Sequence, residues 1–219
     1  MVFANRNEAG VLLAAKLEHY KGEAVVVFAL PRGGVPVAAP VASALDAELD
    51  LVLARKLGTP RQPELAMGAI ADAGEPVNVR NDDVIRIARI SEAEFDTVCR
   101  REHAEIERRR RLYLGSRPGA DARGRVAIVI DDGVATGATT RAALRAIRAR
   151  QPKKLVLATP VAPPDALDLL RPEADEIVCL ESPARFGAIG YFYRDFHQLE
   201  DDEVIEILDR FKPGRAKAT

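Results

Sequence analysis

One stretch decides the fold class: Val126-Ala127-Ile128-Val129-Ile130-Asp131-Asp132-Gly133-Val134-Ala135-Thr136-Gly137-Ala138-Thr139-Thr140. A short apolar segment runs into two adjacent acids, and a loop of small and hydroxyl-bearing residues then leads into a helical pattern. A buried strand joined to a helix by a tight loop is typical of an open α/β sheet. The stretch therefore predicts a parallel strand that carries two acids at its carboxyl end.

Four further segments have the same strand character. They are short and almost continuously apolar, as are strands that are covered on both faces of a parallel sheet. Together with residues 126–131, the predicted strands are residues 25–30, 49–54, 155–160 and 176–180. Helical patterns lie between them at residues 35–45, 137–150 and 165–170. We expect an α/β fold with a doubly wound, mainly parallel five-stranded sheet.

Residues 72–124 interrupt this alternation. Residues 77–89 could hold one or two strands. Ser91 and Glu94 then fit a capping box, which predicts a long helix from there to about Tyr113. We interpret residues 72–124 as an insertion in a single domain of residues 1–219, and residues 212–219 as a frayed tail.

The residues that follow the strand at 126–131 have the chemistry of a binding site. Ligands of open α/β sheets bind at the carboxyl ends of strands, and the free N–H groups of a helix start suit a phosphate. The carboxylates of Asp131 and Asp132 suit a vicinal diol or, through water, Mg²⁺. The alternative is an ordinary strand-to-helix turn in which an Asp caps the helix. The two adjacent acids and the Gly/Ala/Thr loop favour a binding site over this alternative.

This stretch resembles the phosphoribosyl-pyrophosphate (PRPP) motif of type I phosphoribosyltransferases, in which four apolar residues, two acids and two or three small residues precede Thr-Gly-x-Thr. The resemblance implies that Asp131 and Asp132 hold the ribose hydroxyls and Mg²⁺. It also implies a 5′-phosphate loop formed by Ala135, Thr136, Gly137, Ala138, Thr139 and Thr140. The implied reaction is the displacement of pyrophosphate from PRPP by a nitrogen atom of a nucleobase or related acceptor.

Two other loops match parts of the same family's site. Arg32, Gly33 and Gly34 follow the first strand, where the family binds pyrophosphate; a Gly-Gly turn that opens a helix is the alternative. Arg55 and Lys56 end the second predicted strand, and Glu64 lies in the Gly- and Pro-containing segment that follows. The resemblance implies a mobile catalytic loop here, with Glu64 as a candidate general acid. An ordinary solvated loop is the alternative for Glu64.

An aromatic cluster near the carboxyl end matches the family's hood, which stacks the acceptor base. We assign residues 181–200 to this hood, with four candidate stacking residues: Phe186, Tyr191, Phe192 and Tyr193. A hydrophobic cluster that seals the sheet is the alternative for some of them.

The Pro-Arg-Gly-Gly and Tyr-Arg-Asp-Phe sequences are also similar to a bacterial group of stand-alone phosphoribosyltransferase-domain proteins. Ala135 stands where the hypoxanthine–guanine branch carries a carboxylate, which disfavours a 6-oxopurine acceptor.

Composition narrows the range of partners. The 219 residues carry 32 basic and 33 acidic side chains, a net charge of −1, which does not favour nucleic acid. Glutamates lie among the arginines of residues 100–111 at helical spacing, which indicates a solvated, ion-paired helix face. The absence of a long apolar run predicts no membrane span, and the two cysteines indicate a cytoplasmic protein. The family also implies a homodimer, and a PRPP-sensing binding protein without turnover is the alternative function.

Overall fold

A five-stranded parallel sheet lies at the centre of the structure. The computed structural model describes residues 2–72 and 76–211. The strands in these residues are β1 (Val25–Ala29), β2 (Glu48–Leu51), β3 (Leu53–Gly58), β4 (Ala66–Asp72), β5 (Pro76–Arg80), β6 (Val126–Ile130), β7 (Lys154–Val161) and β8 (Glu176–Glu181). The central sheet has the order β2-β1-β6-β7-β8, and all four pairings are parallel.

Helices cover both faces of this sheet. They are α1 (Arg6–Lys16), α2 (Gly34–Leu45), α3 (Asp82–Ile87), α4 (Glu92–Leu114), α5 (Ala138–Ala149), α6 (Pro164–Leu170) and α7 (Asp201–Asp209). One face packs against α1, α2, α4 and α7, and the other packs against α5 and α6. In the part of the chain that the structure describes, no helix is both long and apolar enough to cross a bilayer.

The five predicted sheet strands are confirmed. β1 is buried along its whole length, and Val27 pairs with Leu49 on one side and Ile128 on the other. Burial on both faces explains why these segments are apolar at every position rather than at alternate ones. The doubly wound α/β fold predicted from this pattern is the fold observed.

The second strand ends earlier than predicted. The sheet strand β2 stops at Leu51, whereas the sequence predicted a strand over residues 49–54. After Val52 the chain enters β3, which pairs with β4 in a separate antiparallel sheet of order β3-β4-β5. This smaller sheet packs between α4 and α5. Arg55 and Lys56 therefore lie inside β3 and do not end a strand of the central sheet.

The long helix predicted after Ser91 is confirmed. Ser91 Oγ accepts the backbone N–H of Glu94, and the Glu94 carboxylate accepts the backbone N–H of Ser91 at 2.9 Å. This reciprocal capping satisfies two N–H groups that the first turn leaves free. Residues 77–89 form one strand and one helix, β5 and α3. The predicted tail, residues 212–219, lies outside the described residues.

Candidate functional site

The two predicted acids lie at the carboxyl end of β6, at the sheet edge where open α/β folds bind ligands. Asp132 is 8% exposed, and its Oδ2 accepts a hydrogen bond from Nε of Arg6 at 2.8 Å. Asp131 is half-buried, and its Oδ1 accepts the backbone N–H of Asp132 at 2.9 Å. The two acids therefore differ in their surroundings: Asp132 is paired with a buried cation, whereas Asp131 is partly exposed.

Burial governs the electrostatics of this pair. Burial, reinforced by the neighbouring charge of Asp132, raises the pKa of Asp131 well above its usual range. Burial also raises the pKa of Asp132, although the hydrogen bond and charge of Arg6 oppose the shift. Two carboxylates placed side by side in a low-dielectric environment favour any cation that binds between them or beside them.

The loop after the acids leads directly into α5. Gly137 has a φ of +77°, a conformation that glycine adopts without steric cost, and α5 begins at the next residue. The first N–H groups of this 12-residue helix have no partner within the helix and point toward the loop. Thr140 is 2% exposed, so its side chain is enclosed by protein. The predicted phosphate-loop residues that remain exposed or half-buried are Ala135, Thr136, Ala138 and Thr139.

The loop after β1 lies against the acids. The peptide bond between Pro31 and Arg32 is cis, and Gly33 approaches the side chain of Asp132 so closely that a Cβ would lie 2.0 Å from its Oδ2. The Arg32 Nη1 atom lies 3.7 Å from Oδ1 of Asp201 at the start of α7. Gly34 is the first residue of α2. The structure thus brings the predicted pyrophosphate loop and the predicted ribose site together, with Arg32 paired to an acid.

A cavity of about 340 Å³ adjoins this contact. Its lining residues come from α1, the loop after β1 and the chain segment before α7: Arg6, Arg32, Gly33, Phe196, His197, Gln198 and Leu199. Two arginines, Arg6 and Arg32, therefore border a common space beside Asp132.

The predicted catalytic residues lie on the β3–β4 hairpin. Lys56 Nζ is 3.1 Å from Oε2 of Glu64, whose side chain is 99% exposed. Arg55 Nε donates to Oε2 of Glu102 on α4 at 2.5 Å. A second cavity, also about 340 Å³, is lined by these four residues and by Thr139. The hairpin and the predicted phosphate loop therefore share one cavity, although Arg55 is held by Glu102, an acid that the sequence did not suggest.

The N-terminal segment holds the hood in place. Phe3 forms an isolated parallel bridge with Tyr193: its N–H donates to the carbonyl of Phe192 at 2.8 Å, and its carbonyl accepts the N–H of Arg194 at 2.9 Å. Phe186 and Phe192 stack with ring centroids 5.5 Å apart. The predicted hood, residues 181–200, is thus paired with the N-terminal segment.

One predicted stacking residue is not available for that role. Tyr193 is 5% exposed, its ring packs against Phe3, and its hydroxyl donates to the backbone carbonyl of Asp132 at 2.6 Å. An enclosed ring has no free face for a base, so the prediction for Tyr193 is wrong, and its role is to support Asp132. Tyr191, by contrast, is 76% exposed.

Sequence reasoning missed Arg6. This residue lies in the first turn of α1, only 8% exposed, and its partner Asp132 is 126 positions away. A buried arginine is uncommon in the first turn of a helix unless it is paired. The position of Arg6 in a helix start was therefore only a weak indication that it has a partner. The identity of the partner could not be read from local pattern.

A second group of candidate metal ligands lies elsewhere among the described residues. Asp72, His103 and Glu107 have ligand atoms within 4.8 Å of one another. The Asp72 carboxylate is also 3.6 Å from Nη1 of Arg110, a cation that competes for it. His103 therefore belongs to a mixed charged cluster between β4 and α4.

Comparison with known proteins identifies the family. The family described as phosphoribosyl transferase domain matches residues 3–193. Two curated Mycobacterium tuberculosis proteins, of strains CDC 1551 / Oshkosh and ATCC 25618 / H37Rv, carry phosphoribosyl transferase as a provisional name. Each is 48% identical over 217 residues, which cover 99% of this chain and 48% of the relative. The chain thus spans about half the length of these relatives.

A solved structure shares the fold of this chain. The crystal structure of TT1426 from Thermus thermophilus superposes with a TM-score of 0.82 at 40% identity. The match covers 96% of this chain and 99% of that one. The chain belongs to the phosphoribosyl transferase domain family.

Proposed function

We propose that this phosphoribosyl transferase domain uses PRPP and a nitrogen acceptor, with Mg²⁺ as cofactor. One observation carries the proposal: the Gly33 backbone lies in contact with Asp132, at the sheet edge where α5 begins. Three groups with the chemistry for pyrophosphate, ribose hydroxyls and phosphate therefore meet at one place. The family membership and the order of the motifs along the chain support the same assignment.

Donor binding is assigned residue by residue. The 5′-phosphate would accept hydrogen bonds from the N–H groups at the start of α5, beside the exposed Thr136. Asp131 would accept a hydrogen bond from a ribose hydroxyl, since this residue is only half-buried. The pyrophosphate would lie on the loop of Arg32, Gly33 and Gly34. Asp132, held by Arg6, would fix the shape of the ribose site.

The donor set fits Mg²⁺. Burial raises the pKa of both carboxylates, so a cation bound beside them would favour their charged form, and their oxygens are hard ligands of the kind that Mg²⁺ takes. Asp131 and Asp132 would hold the ion through water or through the substrate. When bound, Mg²⁺ would offset the charge of the pyrophosphate leaving group.

The hairpin would act on the departing and attacking groups. Arg55 and Lys56 place two cations in the cavity that contains Thr139, and such cations stabilise a leaving group that gains negative charge. Glu64 is the candidate for proton transfer because it is the exposed carboxylate of the same cavity. Its loop connects two antiparallel strands, so it can move without disturbing the central sheet.

The acceptor side is assigned to the hood. The exposed ring of Tyr191 and the stacked pair Phe186–Phe192 are the aromatic surfaces offered by residues 181–200. Ala135 provides no carboxylate for the N7 edge of a purine, so an adenine-type or non-purine acceptor is favoured. We place the activity in the cytoplasm, where free thiols such as Cys99 and Cys179 persist, and a homodimer stays a prediction.

The test is pyrophosphate release from PRPP and Mg²⁺ across a panel of purines, pyrimidines and small amines. The variant is Asp131→Asn, because Asp132 is in a buried ion pair whose loss would also destabilise the fold. The matched control is Asp168→Asn, an exposed acid on α6. Acceptor-dependent release that only Asp131→Asn abolishes is the expected result.

Two other outcomes are informative. PRPP binding by calorimetry without release for any acceptor would favour the alternative, a PRPP-sensing protein without turnover. Neither binding nor release by the wild-type protein would contradict the proposal.

A further inference from the structure

Arg6 makes three separate contacts around the acids. Its Nε donates to Oδ2 of Asp132 at 2.8 Å, and its Nη1 donates to the carbonyl of His197 at 3.0 Å. Its guanidinium carbon lies 3.8 Å from the ring centroid of Phe196. The planar fork of an arginine makes such contacts simultaneously, and a lysine cannot reproduce all three.

These contacts are enclosed by protein. The side chains of Arg6 and Asp132 are 10% and 12% exposed. A buried charge without a partner is strongly unfavourable, so loss of either residue would leave the other as an uncompensated buried charge. The backbone of Asp132 is held independently, because Tyr193 donates its hydroxyl to the Asp132 carbonyl.

Arg6 therefore connects three parts of the chain that are distant in sequence. It belongs to α1, it fixes the side chain of an acid at the end of β6, and it fixes the segment between the hood and α7. It also lines the cavity that contains Arg32 and Gly33. Its Nε occupies one oxygen of Asp132, which leaves Asp131 as the acid with exposed surface at the site.

We propose that Arg6 is a positioning residue for the ribose part of the donor site: by holding the Asp132 carboxylate against Gly33, it sets the geometry in which a ribose diol is bound. Arg6 acts through Asp132 and has no contact with the reacting atoms. The inference rests on the proposed function, since it assigns Arg6 to the PRPP site proposed above.

This role predicts a difference in affinity between ligands that a purely structural role would not produce. Because Arg6 acts through Asp132, which fixes the shape of the ribose site, its loss should weaken ligands that carry the ribose diol more than inorganic pyrophosphate. A general disturbance of the fold would weaken both classes alike. The comparison of ribose 5-phosphate with pyrophosphate therefore separates positioning from stability.

The experiment is calorimetric titration with PRPP, ribose 5-phosphate and inorganic pyrophosphate in Mg²⁺, using Arg6→Met and Arg6→Lys. The control is Arg125→Met, because Arg125 is half-buried and also donates to a backbone carbonyl, that of Val25, but lies at the amino end of the sheet. Thermal unfolding of each variant reports stability.

We expect Arg6→Met to weaken PRPP and ribose 5-phosphate at least tenfold and pyrophosphate less than threefold. Arg6→Lys should fall between Arg6→Met and the wild type, because it keeps the charge but not the fork. Arg125→Met should lower the unfolding temperature and leave all three affinities within twofold. If Arg6→Met does not fold, Arg6→Lys tests the same claim.

Unchanged ribose 5-phosphate binding in a folded Arg6 variant would overturn the inference alone. An equal loss for ribose 5-phosphate and pyrophosphate would also overturn it, since the role would then be general. A wild-type protein that binds neither PRPP nor ribose 5-phosphate would overturn the proposed function and the inference with it.

Discussion

Gly33 and Asp132 are in contact although 99 positions separate them in the sequence: a Cβ on Gly33 would lie 2.0 Å from Oδ2 of Asp132 and 2.4 Å from its Cγ. The backbone of Gly33 has a φ of −60° and a ψ of −35°, which any residue adopts easily. Glycine is therefore required here by the neighbouring carboxylate and not by its own torsion angles. The contact couples the loop after β1 to the acid that Arg6 holds.

Substitution of Gly33 by alanine should disturb the candidate site through the contact between the loop after β1 and Asp132. The added methyl group must displace the Asp132 carboxylate, whose Oδ2 is bonded to Arg6 in a buried pair. We expect a loss of about 1–3 kcal/mol in the free energy of unfolding, as for other overpacked interiors. PRPP affinity should also fall. Urea denaturation and calorimetry measure the two effects.

Gly119→Ala is the control for that substitution. A Cβ at Gly119 would meet its nearest neighbours at ordinary van der Waals distances, Nη2 of Arg110 at 3.4 Å and Oδ2 of Asp50 at 3.5 Å. We expect a change in unfolding free energy within about 0.5 kcal/mol of zero. Equal stabilities for Gly33→Ala and the wild type would show that the loop can move away from Asp132.

Two tyrosines of the hood should respond differently to loss of the hydroxyl. Tyr193→Phe removes a buried donor to the carbonyl of Asp132 and should cost about 1–2 kcal/mol of unfolding free energy. Tyr191 is 76% exposed, so Tyr191→Phe should change stability by less than about 0.5 kcal/mol. Denaturant unfolding of both variants is the measurement. A reversed order of the two effects would contradict the placement of Tyr193 beneath the acids.

The fold could be predicted because its strands are buried on both faces. Continuous apolar runs such as residues 126–130 have few other structural explanations when helical patterns alternate with them. The early end of β2 could not be predicted in this way. β3 is specified by its antiparallel pairing with β4, where Leu53 pairs with Asp72, and such pairing leaves no mark on the local pattern around residue 52.

The motif residues of the candidate site could be predicted from the sequence, but the distant residues that pair with them could not. The acids at 131 and 132, the glycines at 33 and 34 and the hydroxyl loop are contiguous signals that local chemistry explains. Arg6, Glu102 and Asp201 each pair with a predicted site residue from a distant helix. Those contacts follow from tertiary packing, which periodicity does not encode.

The pair of Arg55 and Glu102 predicts a pH-dependent stability. Burial raises the pKa of Glu102, but hydrogen bonds from Arg55 and Arg101 outweigh this, and the net pKa lies below its ordinary value of 4.5. A carboxylate whose pKa is depressed by folding stabilises the folded state above its unfolded pKa. That stabilisation is lost as the pH falls through the folded value.

Glu102→Gln should therefore destabilise the protein by about 1–3 kcal/mol at pH 7. The difference from the wild type should begin to shrink below about pH 4.5, where the carboxylate of the unfolded chain takes up a proton, and should be lost as the pH falls through the lower pKa of the folded state. Urea unfolding of the variant and the wild type at pH 7 and pH 4 measures this difference in unfolding free energy. Glu206→Gln, an exposed i,i+4 partner of Arg210, should have little effect at either pH. A difference that grows toward acid would contradict the role assigned to Arg55.

Glu64 offers a direct test of the hairpin, because its role in turnover and its role in stability separate cleanly. Its side chain is 99% exposed, and its pairing with Lys56 at 3.1 Å is a solvated ion pair of little energetic weight. Glu64→Gln should leave the unfolding free energy and the Kd for PRPP unchanged and lower kcat by at least tenfold, since general acids contribute about 10²–10⁴-fold. Arg61→Gln is the control, because Arg61 lies in the same loop but does not line the cavity that contains Glu64 and Thr139. Steady-state pyrophosphate release at saturating acceptor measures both variants, and an equal kcat for the two would remove Glu64 from the chemistry.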